Sequence, residues 1–257
     1  MSETVKLVID GKPCTCEKGD YLLEVAQRNG IRIPSLCYHE GLSGLGACRV
    51  CIVEVVEAGR SRVVTSCIYP VLSEIEVFTQ NEKIKELRGM VLTLLARLAP
   101  NAEGVAKMAA KTGIELPRLA VKEGGDTCIL CGRCVSACEA LGSGAIAKVN
   151  RGVTKEIATP YGEPSSECIG CGSCAFVCPT DSIASERTEE SFTIWGREFE
   201  MQRCSVCGMP FTTQAAFAFL QAAQAEWEPG AEQQPPLCEE CGKKAVARQI
   251  ANAGKYL

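Results

Sequence analysis

CILCGRCVSAC (residues 128–138) and CIGCGSCAFVCP (residues 168–179) are the stretches on which the reading of this chain turns. Each spaces four cysteines as C-x2-C-x2-C-x3-C, and a run of that spacing supplies the thiolates that hold 4Fe-4S clusters. Working outward, eight more cysteines fall into two further groups. Cys37, Cys48, Cys51 and Cys67 are spaced C-x10-C-x2-C-x15-C. A pair at x2 chelates one metal atom through a tight turn, and two distant residues complete the four thiolates of a 2Fe-2S cluster. Cys204, Cys207, Cys238 and Cys241 form the knuckles CSVCG and CEECG. Two such knuckles make a closed four-thiolate site whose usual occupant is one Zn2+, with rubredoxin-like iron as the alternative.

Composition narrows the function. The chain has 257 residues and 18 cysteines. Its start, MSETVKLVID, has neither the basic nor the apolar segment of a secretion signal, so the expectation is a cytoplasmic, thiol-reduced protein. No apolar run approaches the roughly 20 residues of a membrane span. The formal charge of −4 counts every cysteine as neutral; metal-bound thiolates would take the loaded protein to roughly −12. That balance argues against nucleic acid as a partner. His39 is the one histidine, so metal sites must be essentially all-sulfur and a Ser-His-Asp arrangement has a single candidate imidazole. There is no strand followed by GxGxxG and no Walker A run, hence no expected flavin or nicotinamide site on this chain. Cys14 and Cys16, left over in PCTCEKGD, share one face of an expected strand and read as ordinary buried thiols.

The stretch from Ile33 to Cys67, IPSLCYHEGLSGLGACRVCIVEV followed by TSC, resembles the N-terminal 2Fe-2S domain of the largest iron-sulfur subunit of respiratory complex I. It is equally similar to the small diaphorase subunit of NAD-reducing hydrogenases. Around it, VKLVI alternates as a strand, Asp10-Gly11 reads as a turn, Gly19 to Asn29 as a helix opened by Asp20, and Val50 to Val56 with Arg62 to Cys67 as paired strands. This is the element order of a beta-grasp ferredoxin. Gly41, Gly44 and Gly46 would let the loop wrap closely around sulfide, and His39 is expected to hydrogen-bond nearby. The two later runs resemble a bacterial-type dicluster ferredoxin, in which the fourth cysteine of each run serves the other cluster. The resemblance implies cluster A on Cys128, Cys131, Cys134 and Cys178, and cluster B on Cys168, Cys171, Cys174 and Cys138. The insert Glu139 to Glu167 is long enough for a hairpin facing a partner.

In these relatives a cluster held by one His and three Cys lies between the two ferredoxin parts, whereas Ile68 to Thr127 contains neither residue. The gap must be crossed by a partner's cofactor or by close packing. It is filled by an expected helix over Asn81 to Ala99, with Ile84, Leu87, Val91, Leu94, Leu95 and Leu98 as its apolar face, and a second helix to about Thr112. Ile114 to Gly125 reads as linker, and Thr212 to Trp227 as a helix between the last two knuckles.

The expected fold class is α+β, in four parts. These are a beta-grasp 2Fe-2S domain (1–79), a helical linker (80–125), a bacterial-type 2x(4Fe-4S) domain (126–190) and a zinc-ribbon-like tail (191–257). The resemblance implies an electron-transfer subunit of a soluble multisubunit NAD(P)-linked oxidoreductase: a hydrogenase, a formate dehydrogenase or a flavin-based electron-bifurcating complex. Its implied partners are an FMN/NAD-binding flavoprotein, a catalytic subunit and soluble ferredoxin, with no substrate chemistry on this chain. The rival readings are an iron-sulfur accessory subunit of a small-molecule reductase and an iron-sulfur redox sensor.

Overall fold

The alternating apolar residues Val5, Leu7 and Ile9 build β1 (Thr4–Ile9), which pairs antiparallel with β2 (Lys12–Glu17). Asp10 and Gly11 between them both have positive φ, as a two-residue hairpin turn demands. This computed structural model describes residues 3–117, 126–230 and 234–253. Helix α1 (Leu22–Arg28) buries Leu22, Leu23, Val25 and Ala26. Its N-cap is Tyr21, which bridges to Pro70, and not the expected Asp20, whose carboxylate accepts instead from the Glu17 N–H and Arg28. A second hairpin joins β3 (Ile52–Glu57) to β4 (Arg60–Thr65). Strand β5 (Ile75–Phe78) then enters the middle of the sheet, parallel to β1 and antiparallel to β3, giving the order β2-β1-β5-β3-β4. Asp10 fixes the end of β5 by accepting from the Thr79 N–H at 2.8 Å and the Thr79 hydroxyl at 2.5 Å. The core beneath the sheet comprises Val5, Leu7, Ile9, Leu22, Val25, Val53, Val55 and Val77, together with Cys14 and Cys16.

Helix α2 (Glu82–Leu98) is capped by Asn81, whose side chain accepts from the Ile84 N–H. The expected apolar face is not the one the helix buries. The fully buried positions are Ile84, Arg88, Leu92 and Ala96, while Leu94 and Leu98 are exposed. Arg88 turns inward on this face and donates to the backbone carbonyls of Val50, Ile52 and Thr79. Helix α3 (Glu103–Lys111) buries Val105 and Ala109 and lies so close to the end of the second cysteine run that a Cβ on Gly104 would stand 2.1 Å from the Pro179 carbonyl oxygen. Helix α4 (Arg133–Ala140), a ribbon of β6 (Ala147–Val149) and β7 (Glu156–Ala158), and the short α5 (Ser173–Phe176) follow. The ribbon supplies the hairpin expected within the insert. Most of the linker expected over Ile114 to Gly125 lies outside the described residues.

The chain comprises two compact units. The first comprises residues 1–140, 148–157 and 174–182; the second comprises 141–147, 158–173 and 183–257. The second unit is built on an antiparallel sheet of β8 (Ser185–Arg187), β9 (Ser191–Ile194), β10 (Arg197–Arg203) and β11 (Pro210–Thr213), in the order β11-β10-β9-β8. The 190/191 division therefore falls inside the hairpin between β8 and β9. Helix α6 (Gln214–Trp227) is capped by the Thr213 hydroxyl, which accepts from the Ala216 N–H and donates to the Ile169 carbonyl. Helix α7 (Glu239–Ala253) follows. Among the described residues no helix is long and apolar enough to cross a membrane.

Candidate iron-sulfur and metal centres

The first four cysteines converge from three places: the loop after α1, the segment entering β3 and the helical turn after β4. Cys37, Cys48, Cys51 and Cys67 are all at most 2% exposed, so the set is shut off from solvent. The Cys48 N–H donates to Cys37 Sγ at 3.5 Å. Thiol hydrogen bonds from Cys48 and Cys67 pull Cys37 down to about 2, and one from Cys67 pulls Cys51 down to about 7. Cys48 and Cys67 are pushed up in return. Four sulfurs sharing charge in a closed pocket fit a multinuclear cationic core.

Two glycines make the pocket possible. A Cβ on Gly44 would stand 2.2 Å from the Cys67 carbonyl oxygen, and one on Gly46, which also has positive φ, 2.6 Å from Ile68 Cδ1. His39 Nδ1 accepts from the Gly41 N–H at 3.2 Å, bracing the same loop. Ser66 ties the two ends of the site together by donating its hydroxyl to the Cys51 carbonyl at 2.8 Å.

Cys128, Cys131 and Cys134 lie on the loop and first turn entering α4. Cys178, from the other run, is close enough to act electrostatically on all three. Burial pushes the Cys134 thiol up to about 12 and raises Cys131 and Cys128 as well. Backbone amides aim at the sulfurs: the Leu130 N–H donates to Cys128 at 3.4 Å and the Ser182 N–H to Cys178 at 3.3 Å. Leu130 and Gly132 both have positive φ, which turns successive N–H groups to one side of the loop, an arrangement suited to an anionic cluster. A Cβ on Gly132 would collide with the Lys148 side chain, which covers this loop. Of the remaining set, Cys138 lies in α4 and Cys174 in α5. Cys168 and Cys171 flank Gly170, where a Cβ would meet the Phe199 ring at 2.6 Å. Arg197 Nη1 secures that loop by donating to the carbonyls of Ser165, Ser166 and Cys168 at 2.9–3.0 Å.

The sulfurs of Cys204, Cys207, Cys238 and Cys241 all lie within 4.8 Å of one another, with Cys207 and Cys238 3.7 Å apart. That spacing suits one tetrahedral ion with metal–sulfur bonds of about 2.3 Å. Backbone N–H groups of Cys238, Cys207 and Val206 pull the Cys204 thiol down to about 6.

The first two sets meet. Cys37, Cys48 and Cys131 belong to one buried cluster with Leu36, Val50, Leu92, Ala96, Val105 and Ile129, and Cys37 is near enough to Cys131 to raise its thiol. Helices α2 and α3 supply the filling. Sequence reasoning missed Arg88, Arg133 and Arg197. A cation at four-residue spacing between Ile84 and Leu92 was the available signal for the first; nothing local marked the other two.

Residues 2–82 match the 2Fe-2S iron-sulfur cluster binding domain family, and residues 127–182 match the 4Fe-4S dicluster domain family. Two ferredoxin-type domains are thereby identified. The chain is 33% identical over 227 residues to the NADPH-Fe(3+) oxidoreductase subunit alpha of Geobacter sulfurreducens, covering 79% of this chain and 26% of that protein. It is 32% identical over 211 residues to the NADP-reducing hydrogenase subunit HndD of Solidesulfovibrio fructosivorans, covering 69% and 35%. It is 29% identical over 222 residues to the NADH-ubiquinone oxidoreductase 75 kDa subunit of Reclinomonas americana, covering 77% and 31%. The chain thus spans about a quarter to a third of the length of these curated relatives. A chain in the crystal structure of NAD+-reducing NiFe-hydrogenase in the H2-reduced state shares the fold. The TM-score is 0.57 at 22% identity, covering 69% of this chain and 86% of that one. The expected resemblance to hydrogenase and complex I iron-sulfur subunits holds.

Proposed function

We propose that this chain is an iron-sulfur relay for single electrons within a multisubunit NAD(P)-linked oxidoreductase. The observation that carries the reading is the shared buried cluster in which Cys37 and Cys48 of the first set pack with Cys131 of the second. Close packing of this kind supports direct transfer between the first and second cysteine sets where a one-His, three-Cys site is absent from the sequence.

In this reading Cys37, Cys48, Cys51 and Cys67 hold a 2Fe-2S cluster. Cys128, Cys131, Cys134 and Cys178 hold one 4Fe-4S cluster, and Cys168, Cys171, Cys174 and Cys138 hold the other. Bound clusters supply one-electron carriers. The chain's own residues exclude water from the first site, aim N–H groups at the sulfurs of the second and hold the two sites together through the hydrogen bond from Arg133 to the Leu36 carbonyl. Cys204, Cys207, Cys238 and Cys241 hold zinc that pins α6 and α7 to the β10–β11 hairpin. A flavoprotein that splits the hydride pair of NAD(P)H is the expected donor or acceptor, and a hydrogenase, formate dehydrogenase or ferredoxin-linked bifurcating partner stands at the other end. The subunit works in the cytoplasm.

Metal analysis of anaerobically purified protein tests this: about ten iron and about one zinc per chain are expected. Dithionite reduction should develop one 2Fe-2S and two 4Fe-4S EPR signals. Only about four or five iron atoms in fully loaded protein, or brisk NAD(P)H oxidation by the chain without a flavoprotein, would overturn the reading.

A further inference from the structure

Arg88 is 4% exposed, in the middle of α2, where an apolar residue would ordinarily sit. Its guanidinium donates three hydrogen bonds, all to backbone carbonyls: Nε to Val50 at 3.0 Å, Nη2 to Ile52 at 2.8 Å and to Thr79 at 3.1 Å. Val50 and Ile52 are the two neighbours of Cys51, so the cation clasps the main chain on either side of that cysteine. Among the described residues no carboxylate forms an ion pair with it. The one ionisable group that favours its charged form is the Cys51 sulfur, acting against the cost of burial.

The cavity of about 370 Å³ on which Arg88 borders adds no compensating anion, since it is lined by Arg32, Lys85 and Lys111 against the single acid Glu82. An arginine stays protonated in such surroundings. Burying a full charge without a partner costs several kcal/mol, and three carbonyl dipoles offset only part of that. The missing negative charge is the one the first cysteine set acquires when loaded, because four thiolates outweigh the charge of an oxidised 2Fe-2S core by about two units.

We infer that Arg88 is the fixed counter-charge of the first cysteine set, and that its guanidinium holds the reduction potential of the 2Fe-2S cluster above the value that thiolate ligation and burial alone would give. Taking up one electron makes the site more negative by one unit, so a nearby cation favours the reduced form. Removing one unit charge about 10 Å from a redox centre, at an effective dielectric near 20, shifts the reduction equilibrium by about tenfold or more. Tenfold is about 59 mV for a one-electron couple.

The inference rests on reading Cys37, Cys48, Cys51 and Cys67 as a 2Fe-2S site. EPR-monitored redox titration of the full, anaerobically loaded chain tests it with three variants: Arg88→Gln and Arg88→Met, which remove the charge, and Arg88→Lys, which keeps it. The neutral variants should lower the 2Fe-2S midpoint by the equivalent of at least tenfold, with Lys close to wild type and the 4Fe-4S midpoints shifted less. If both neutral variants lose the 2Fe-2S signal while Lys retains it, the charge is required to hold the cluster and the inference stands in its stronger form. An unmoved midpoint in the neutral variants, or a Lys variant that falls or loses its signal as they do, overturns it. A wild-type chain with no 2Fe-2S signal would sink the underlying reading instead, and the inference with it.

Discussion

Arg133, the residue before Cys134, donates through Nη1 to the carbonyl oxygen of Leu36, the residue before Cys37, at 3.1 Å. One side chain thus links the immediate neighbours of two cysteine sets that are 97 residues apart in sequence. Replacing it with methionine keeps the bulk and removes the bond. Arg133→Met should cost about 1.5 kcal/mol, the low end for a hydrogen bond from a charged group, because the residue is only half-buried. Denaturant titration measures that cost. Iron content should be unchanged, while the magnetic interaction between the reduced 2Fe-2S and nearer 4Fe-4S signals weakens.

Gly44 is held against the Cys67 carbonyl, with no room for a methyl group. Gly44→Ala should force the loop outward and destabilise the first domain by about 1–3 kcal/mol, as overpacking does. Visible absorbance and EPR of the purified variant should show 2Fe-2S occupancy reduced with the 4Fe-4S signals intact. Gly41→Ala is the control, since a Cβ there meets only the His39 ring at 3.4 Å or beyond.

Crossed ligation predicts opposite outcomes for two serine variants. Cys178→Ser should disturb the cluster on Cys128, Cys131 and Cys134, the three residues it acts upon. Cys138→Ser should disturb the cluster on Cys168, Cys171 and Cys174. EPR that shows each variant damaging only its own run's cluster would refute the crossing.

Glu54, in β3, ties the start of α2 to the sheet by accepting from Lys83, Ser61 and Asn81. Lys83 is the chief cause of its depression to about 2 from the usual 4.5. A carboxylate whose pKa is lowered on folding contributes stability that is complete above about pH 4.5 and lost as the pH falls through about 2. Glu54→Gln should therefore lower Tm at pH 6 and narrow the gap from wild type progressively below pH 4.5. A pH series of thermal melts reads this directly, and a gap that widens in acid would refute it.

The cysteine spacings made both ferredoxin parts and the convergence of the four tail cysteines legible, because metal chelation imposes short, fixed intervals that survive without any tertiary information. The β1–β2 hairpin was legible from alternation and the Asp10-Gly11 turn, and α3 and α6 from their expected helical spans. The inward face of α2 was not. Leu94 and Leu98 have the helical spacing of a core stripe, yet they are exposed, while Arg88 faces inward and donates to the backbone carbonyls of Val50, Ile52 and Thr79, partners that only the tertiary fold brings to it. Strand β5 is four residues long, below the length at which alternation is distinctive, and its place between β1 and β3 depends on pairing partners far away in sequence. The sheet of β8 to β11 was hidden for the same reason, its strands running from three to seven residues.

The buried cluster that joins Cys37 and Cys48 to Ile129 and Cys131 also bears on biogenesis. A ribosome that has synthesised the first cysteine set has not yet made the residues that seal one side of it. Until residue 131 has emerged and α2 and α3 have folded back, Cys37 and Cys48 lack the residues that pack against them in the finished chain. If the first site takes up an iron-sulfur cluster, a nascent chain stalled near residue 100 should be a poorer substrate for its insertion than the full chain.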